Sequence, residues 1–275
     1  MSSGADAFAR LVSGTGPIEL LPAAAAIATD AFPVAALDEA CATVREWSAR
    51  LAARIAPDLA PAHRLRLLNR YFFDELGFHG NRRDYFDIDN SYLNRVVERR
   101  RGLPISLSAI YLTIGRAAGL RLEGVSFPRR FLVKLAQGDS AFVIDVFEGG
   151  ATLGTEELRT RLVHAHGENA GPLASYLRAA TEREILARWL YNLKLLHERA
   201  GDWPALLGVA HRLVALLPDS AQERLDRAAA YEHLECPRAA ALDIEAVLLA
   251  QAGRPDAAAL RERLAHLRAR SDRLN

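Results

Sequence analysis

The chain has 275 residues, enough for one large or two modest domains. Half are hydrophobic, a quarter are charged and the formal net charge is +1. This is a globular composition with no global field to recruit nucleic acid or an anionic membrane. Two distant cysteines, Cys41 and Cys236, exclude a disulfide framework and match no metal-pair spacing, so a reducing, cytoplasmic setting is expected.

In chain order, residues 1–30 read as an N-terminal tail. The opening MSSGADAFAR has little periodicity and lacks the pattern of an export signal, and the apolar run LLPAAAAIA closes at Asp30. After Pro33, apolar residues recur at helical spacing from Leu37 through Cys41, Val44, Trp47 and Leu51 to Ile55, and Pro57 and Pro61 break the helix. Leu65, Leu68, Phe72 and Leu76 mark a second helix that Gly77 ends. The polar loop GFHGNRRDYFDIDN follows, with Asp89 or Asn90 expected to cap a short helix carrying Leu93, Val96 and Val97 and ending at Gly102. Another helix is expected to start near Ser106, bury Leu107, Ile110, Tyr111 and Ile114, and stop at Gly119. Its run LPISLSAIYLTIGRAAGL contains Arg116 and is too short and polar for a membrane span.

The period then switches. GVSFPRRFLVKL and AFVIDVF read as antiparallel strands joined by the turn QGDS, and Gly149-Gly150 forms a further turn. Helices followed by a small antiparallel sheet define an α+β domain over residues 31–165. From about residue 180 to the end everything reads as helix. Leu196 matches Tyr231 and Ala205 matches Ala240, an offset close to the tetratricopeptide period.

The run NRYFFDELGFHGNRRDYFDIDNSYLNRVVERRRGLPISLSAIYLTIGRAAGL, followed by FLVKL and FVIDVFEGG, resembles the SirB-type branch of the transglutaminase-like superfamily in segment order and spacing. The resemblance covers roughly residues 30–270 and includes the C-terminal repeats. It implies a papain-like core: a helix packed on an antiparallel sheet, with the cleft at the helix N-terminus. Active relatives carry a cysteine nucleophile there, a histidine on one strand and an aspartate on the next. Those positions here are Ser106, Arg130 and Asp145. A hydroxyl in place of the thiol is common in this branch.

A hydroxyl nucleophile needs a base, and a guanidinium has no lone pair to act as one. Losing the base or the nucleophile of a triad costs on the order of 10⁶ in rate. No catalytic residue is therefore expected, and Ser106, Arg130 and Asp145 form a degenerate triad. Ser106 reads most simply as a helix-start hydroxyl, and Arg130 as the partner of Asp145 on a neighbouring strand. A rescuing base would have to be His79, His164 or His166.

Arginine is the other signal. Arg82, Arg83, Arg101, Arg129 and Arg130 are candidate ligands for a carboxylate, a phosphate or an acidic peptide, whereas Arg99–Arg101 also fit the solvated end of a helix. Asp84, Asp87, Asp89 and Asn90 superficially resemble a calcium loop but lack its glycine and bidentate glutamate, so turns and caps are expected. His164 and His166, with Glu168, read as surface histidines in a linker, and Cys236 as part of a turn between repeat helices. No metal, cofactor or nucleic-acid motif is present. Two readings follow. One is a non-catalytic scaffold that binds a protein or peptide through its repeats, with its oligomeric state open. The other is a serine-dependent amidase or peptidase-like hydrolase using Ser106 with an unmapped base. The name of the branch also suggests a regulatory factor, which no residue supports directly.

Overall fold

The computed structural model describes residues 4–14, 16–137, 140–167 and 170–273. The chain forms two compact units. One runs from Gly14 to Trp189, and the other combines the segment up to Ser13 with the chain from Leu190 onward.

In the Gly14–Trp189 unit, helix α2 (Leu20–Ala26) precedes the long helix α3 (Val34–Ala52). Leu37, Val44, Trp47 and Leu51 recur on one face of α3 and are buried. Helix α4 (Pro61–Asn69) runs into a π-helical turn (Arg70–Glu75), and Gly77, at φ 75°, ends it as the glycine pattern predicts. A two-residue strand β1 (His79–Gly80) pairs in parallel with β2 (Arg101–Gly102), placing His79 opposite Arg101. Between them lie a 3₁₀ turn (Ile88–Asn90) and helix α5 (Leu93–Arg99).

The central helix α6 (Pro104–Ala117) is buried nearly all round and packs against α3, α4 and α5. Strands β3 (Leu122–Val125), β4 (Leu132–Gln137), β5 (Ser140–Asp145) and β6 (Ala151–Leu153) form an antiparallel sheet in that order, with Val133 opposite Ile144. Successive residues Leu132 and Val133 are both fully buried, so the sheet is covered on both faces there. Helix α7 (Thr155–His166) supplies Leu158 and Leu162 to a cluster with Val125, Phe127, Leu132, Val143 and Leu153. A short helix α8 (Leu173–Tyr176) leads to α9 (Glu182–Ala200). The unit is α+β, as the order of periodicities implies.

The other unit is helical. Helices α10 (Trp203–Leu216), α11 (Ala221–His233), α12 (Pro237–Ala250) and α13 (Ala257–Arg273) pack in succession. Asp202 caps α10 and Ser220 caps α11, each accepting a backbone N–H three residues on. Ala228, Ala240 and Ala241 let Ile244, Val247, Leu260, Leu264 and Leu267 close a dry core. Trp203 of α10 and His233 of α11 stack at 3.6 Å. Cys236 occupies the N-cap position of α12, in the turn between helices.

Several expectations are corrected. The opening segment is not a loose tail: helix α1 (Gly4–Val12) fully buries Phe8 and Val12 and packs on α10. Two core positions four residues apart suffice for so short a helix, too few to register as periodicity. Helix α5 is preceded by Tyr92, not capped by Asp89 or Asn90. The aspartate cap belongs to the 3₁₀ turn, where Asp87 accepts the Asp89 N–H. Helix α6 starts two residues early because Pro104 takes the first helical position, where its missing N–H costs nothing. The run GVSFPRRFLVKL holds two strands, with Phe127–Phe131 turning between them and Arg129 at φ 57°. His164 and His166 lie in the last turn of α7, not in a linker. Glu168, and Gly138-Asp139 of the expected QGDS turn, fall outside the described residues.

Candidate functional site

The α6 N-terminus is built by backbone needs. Leu103 is extended and Pro104 begins the helix, leaving the Leu103 N–H without an intrahelical partner. The fully buried Ser106 hydroxyl accepts that N–H at 2.9 Å and donates to the Asn90 carbonyl at 2.7 Å, with a longer 3.2 Å contact to Leu103 O. Asn90 is fully buried as well. Its Nδ2 donates to Asp84 O at 2.7 Å, and its Oδ1 accepts from Asn81 Nδ2 at 3.0 Å. Asn81 Oδ1 in turn accepts the Asp84 N–H at 3.1 Å. The polar loop is thereby clamped onto α6 through satisfied amides. Gly102 completes the fit: a Cβ there would lie 2.6 Å from Ser106 Oγ.

Asp145 ends β5 and is fully buried. Its partner is not Arg130. Arg161 of α7 donates to Asp145 Oδ2 at 2.7 Å and to Glu157 at 2.8 Å, and the Glu148 N–H reaches Oδ1 at 3.3 Å. Arg130 lies in the turn before β4 instead of on a strand. Its guanidinium sits 5.4 Å from the centre of the Phe147 ring and 3.7 Å from Glu148 Oε1. Glu148 also pairs with Arg82. The three triad positions are therefore engaged elsewhere: Glu148 contacts Asp145 through its N–H and Arg130 through its carboxylate, but no hydrogen bond among the described residues joins any two of the three directly. His79 is exposed, with Nδ1 3.0 Å from Gly77 O.

The arginines divide by environment. Arg82, Arg129 and Arg130 line one cavity of about 520 Å³ with Tyr85, Phe147 and Glu148. Arg83 and Arg101 are exposed and do not line it. Arg99 bridges Asp87 at 2.6 Å and Asp89 at 3.1 Å, so it is a staple within the loop and not a solvated helix end. Burial disfavours the charged Asp87 carboxylate, but Arg99 and the Asp89 N–H outweigh it and hold the group below its usual range. Arg100, left-handed at φ 56°, lays its guanidinium 4.1 Å from the Trp47 ring centre, where burial pushes its pKa down. Among the described residues no group of histidines, cysteines and carboxylates is arranged to hold a metal ion.

Sequence reasoning missed Glu148, Tyr85 and Phe147 as lining residues and Arg161 as the partner of Asp145. The segment DVFEGG carried a faint signal for Phe147 and Glu148, because Gly149 and Gly150, both at positive φ, turn the chain immediately after Glu148. Arg161 carried none, being one of two arginines on an unanticipated helix.

The family comparisons agree with this architecture. The profile of the transglutaminase-like superfamily matches residues 38–191, more than half the chain, and a tetratricopeptide repeat profile matches residues 193–265. The chain is a transglutaminase-like domain followed by helical repeats, and it belongs to the transglutaminase-like superfamily. Within it, the similar bacterial proteins are of the UPF0162, SirB-type group. A UPF0162 protein of Xylella fastidiosa strain 9a5c is 42% identical over 174 residues, covering 62% of each chain, so the match spans less than two thirds of that relative. A UPF0162 protein of Vibrio cholerae is 31% identical over 212 residues, covering 74% of this chain and 78% of its own. Human F-box only protein 21 is 33% identical over 181 residues, covering 62% of this chain but 28% of that protein. No solved structure matches.

Proposed function

We propose that this protein is a non-catalytic scaffold: a transglutaminase-like domain with a disarmed centre, joined to repeats that engage a protein or peptide. The observation that carries the reading is the Ser106 hydroxyl. It is fully buried, accepts the Leu103 N–H and donates its proton to the Asn90 carbonyl. A nucleophile must pass that proton to a base and present its oxygen to a substrate, and here both capacities serve the backbone. Arg130 stands where the base is expected and holds Glu148 instead, while Asp145 holds Arg161. The remaining helical unit is of the tetratricopeptide type, a repeat fold whose stacked pairs form binding surfaces.

The test is turnover. The purified protein, incubated with generic amide, ester and peptide substrates, is expected to match the buffer blank. Turnover that Ser106→Ala abolishes would establish the hydrolase reading instead. That second reading has one observation in its favour, a hydroxyl in the first turn of a buried helix.

A further inference from the structure

We propose that the cavity between Arg82, Arg129 and Arg130 is a binding site for a carboxylate-bearing peptide segment with an aromatic or aliphatic neighbour. The proposal deepens the scaffold reading by naming what the transglutaminase-like domain holds, and it rests on that reading only in that the peptide leaves unchanged.

Three guanidinium groups face this space against one carboxylate, Glu148. That carboxylate already shows what the arginines accept, because Arg82 pairs with one of its oxygens and Arg130 lies 3.7 Å from the other. Arg129 makes no hydrogen bond or ion pair with any described residue. Its left-handed backbone, φ 57°, carries a cost that only the surrounding turn sustains. A second carboxylate entering beside Glu148 meets an unengaged guanidinium and a local excess of positive charge.

The rest of the lining is aromatic. The Phe147 ring carries the Arg130 guanidinium, and Tyr85 meets Phe147 at 5.9 Å, edge to face. Phe86 packs against Tyr85 at 5.4 Å and is 61% exposed. Phe147 is held close to the backbone at Gly80, where a Cβ would come within 2.6 Å of its ring. Arg188 does not line the cavity; it is half-buried, and its electrostatic neighbour is Tyr85. At about 520 Å³ the cavity falls in the range of ligand pockets and exceeds what a carboxylate alone fills, leaving room for an apolar side chain on Tyr85 and Phe147. A polyanion fits less well. The lining contains a carboxylate, and the chain as a whole is nearly neutral.

The test uses the full chain and a fluorescein-labelled peptide of alternating glutamate and phenylalanine. It is made with a free and with an amidated C-terminus, which separates a terminal carboxylate from a side-chain one. Saturable anisotropy is expected. Arg129→Gln and Arg130→Gln are each expected to weaken it about tenfold, the scale of one charge-assisted contact, with unchanged melting temperature. Glu148→Gln removes the resident competitor and is expected to tighten binding several-fold. A glutamine–phenylalanine peptide and a thymidine oligonucleotide are expected to bind at least tenfold more weakly. Absent saturation, indifference to both arginine variants, or an oligonucleotide that binds as tightly as the peptide would overturn the site. Mass spectrometry of the recovered peptide reads the other question. Cleavage with arginine-dependent binding would keep the site and refute the scaffold.

Discussion

At the scale of residues, the functional question turns on what a few polar side chains are already committed to. Ser106 links three backbone groups: the N–H and the carbonyl of Leu103 at the helix start and the loop carbonyl of Asn90. Ser106→Ala leaves the Leu103 N–H and the Asn90 carbonyl only their long 3.4 Å contact with each other, and is expected to lower unfolding free energy by about 1–2 kcal/mol in a denaturant titration. A site built for chemistry would instead gain stability when its nucleophile is removed, the usual trade between function and stability. Arg161 and Arg130 provide a second contrast. Arg161→Ala strands the fully buried Asp145 and is expected to cost about 3 kcal/mol, at the low end for a broken buried pair because Arg161 is partly exposed. Arg130→Ala loses a long, partly exposed contact and is expected to cost about 0.5 kcal/mol or less. Equal costs would contradict this assignment of partners. For the same reason, Ser106→Cys combined with Arg130→His is not expected to produce a reactive thiol, whereas Cys236, which is exposed, is expected to react with Ellman's reagent and serve as the internal standard. The hydroxyl's place in the first turn was legible from GLPIS, because a proline and a small polar residue mark a helix start. Its acceptor, Asn90, is 16 residues away in a loop without periodicity. The expected Arg130–Asp145 pair failed because strand adjacency says nothing about a helix laid over the sheet.

At the scale of elements, helix ends and short helices carry the testable energetics. Thr181 and Glu184 cap α9 reciprocally, each side chain taking the other's backbone N–H, and Arg178 pairs with Glu184. The Arg178 bond outweighs burial and, with Thr181, holds the Glu184 carboxyl at about 2, below its ordinary 4.5. A folded-state pKa below the unfolded one gives stability that is present above pH 4.5 and lost as pH falls toward 2. Glu184→Gln is expected to flatten this limb in denaturation curves taken across that window, while leaving the curve's shape above pH 6 unchanged. An undiminished acid limb would place the titrating group elsewhere. Helix α1 offers a different check. Phe8 is fully buried, and Phe8→Ala is expected to cost about 3–4 kcal/mol, where a dangling tail would register nothing. The long helices were readable because their periods repeat several times, and the sheet was readable as an antiparallel pair, with the division of its first run into β3 and β4 and the short β6 left unseen. Helix α1, the two-residue pair β1–β2 and α7 were not readable, since each is defined by what it packs on and not by its own pattern.

At the scale of the whole molecule, the family resemblance and the physical reading meet. A mostly helical chain with one small antiparallel sheet and a C-terminal array of tetratricopeptide type is what the order of periodicities implies, and it is what the superfamily and repeat profiles match. No helix among the described residues is long and apolar enough to cross a membrane. The fold was legible because it is encoded many times over, in every repeated apolar face. The site was legible only as a set of positions, since a fold does not fix the chemistry of the residues grafted on it. The arginine-lined cavity was half visible: Arg82, Arg129 and Arg130 could be named, but the chain had to fold before Arg83 and Arg101 dropped out and Glu148, Tyr85 and Phe147 joined. The account's central claim is that Ser106 is a structural hydroxyl. Incubation with a fluorophosphonate, followed by intact-protein and peptide mass spectrometry, tests it directly. The native protein is expected to keep its unmodified mass, with Ser106 recovered free; a single phosphonyl adduct on Ser106 would contradict the account.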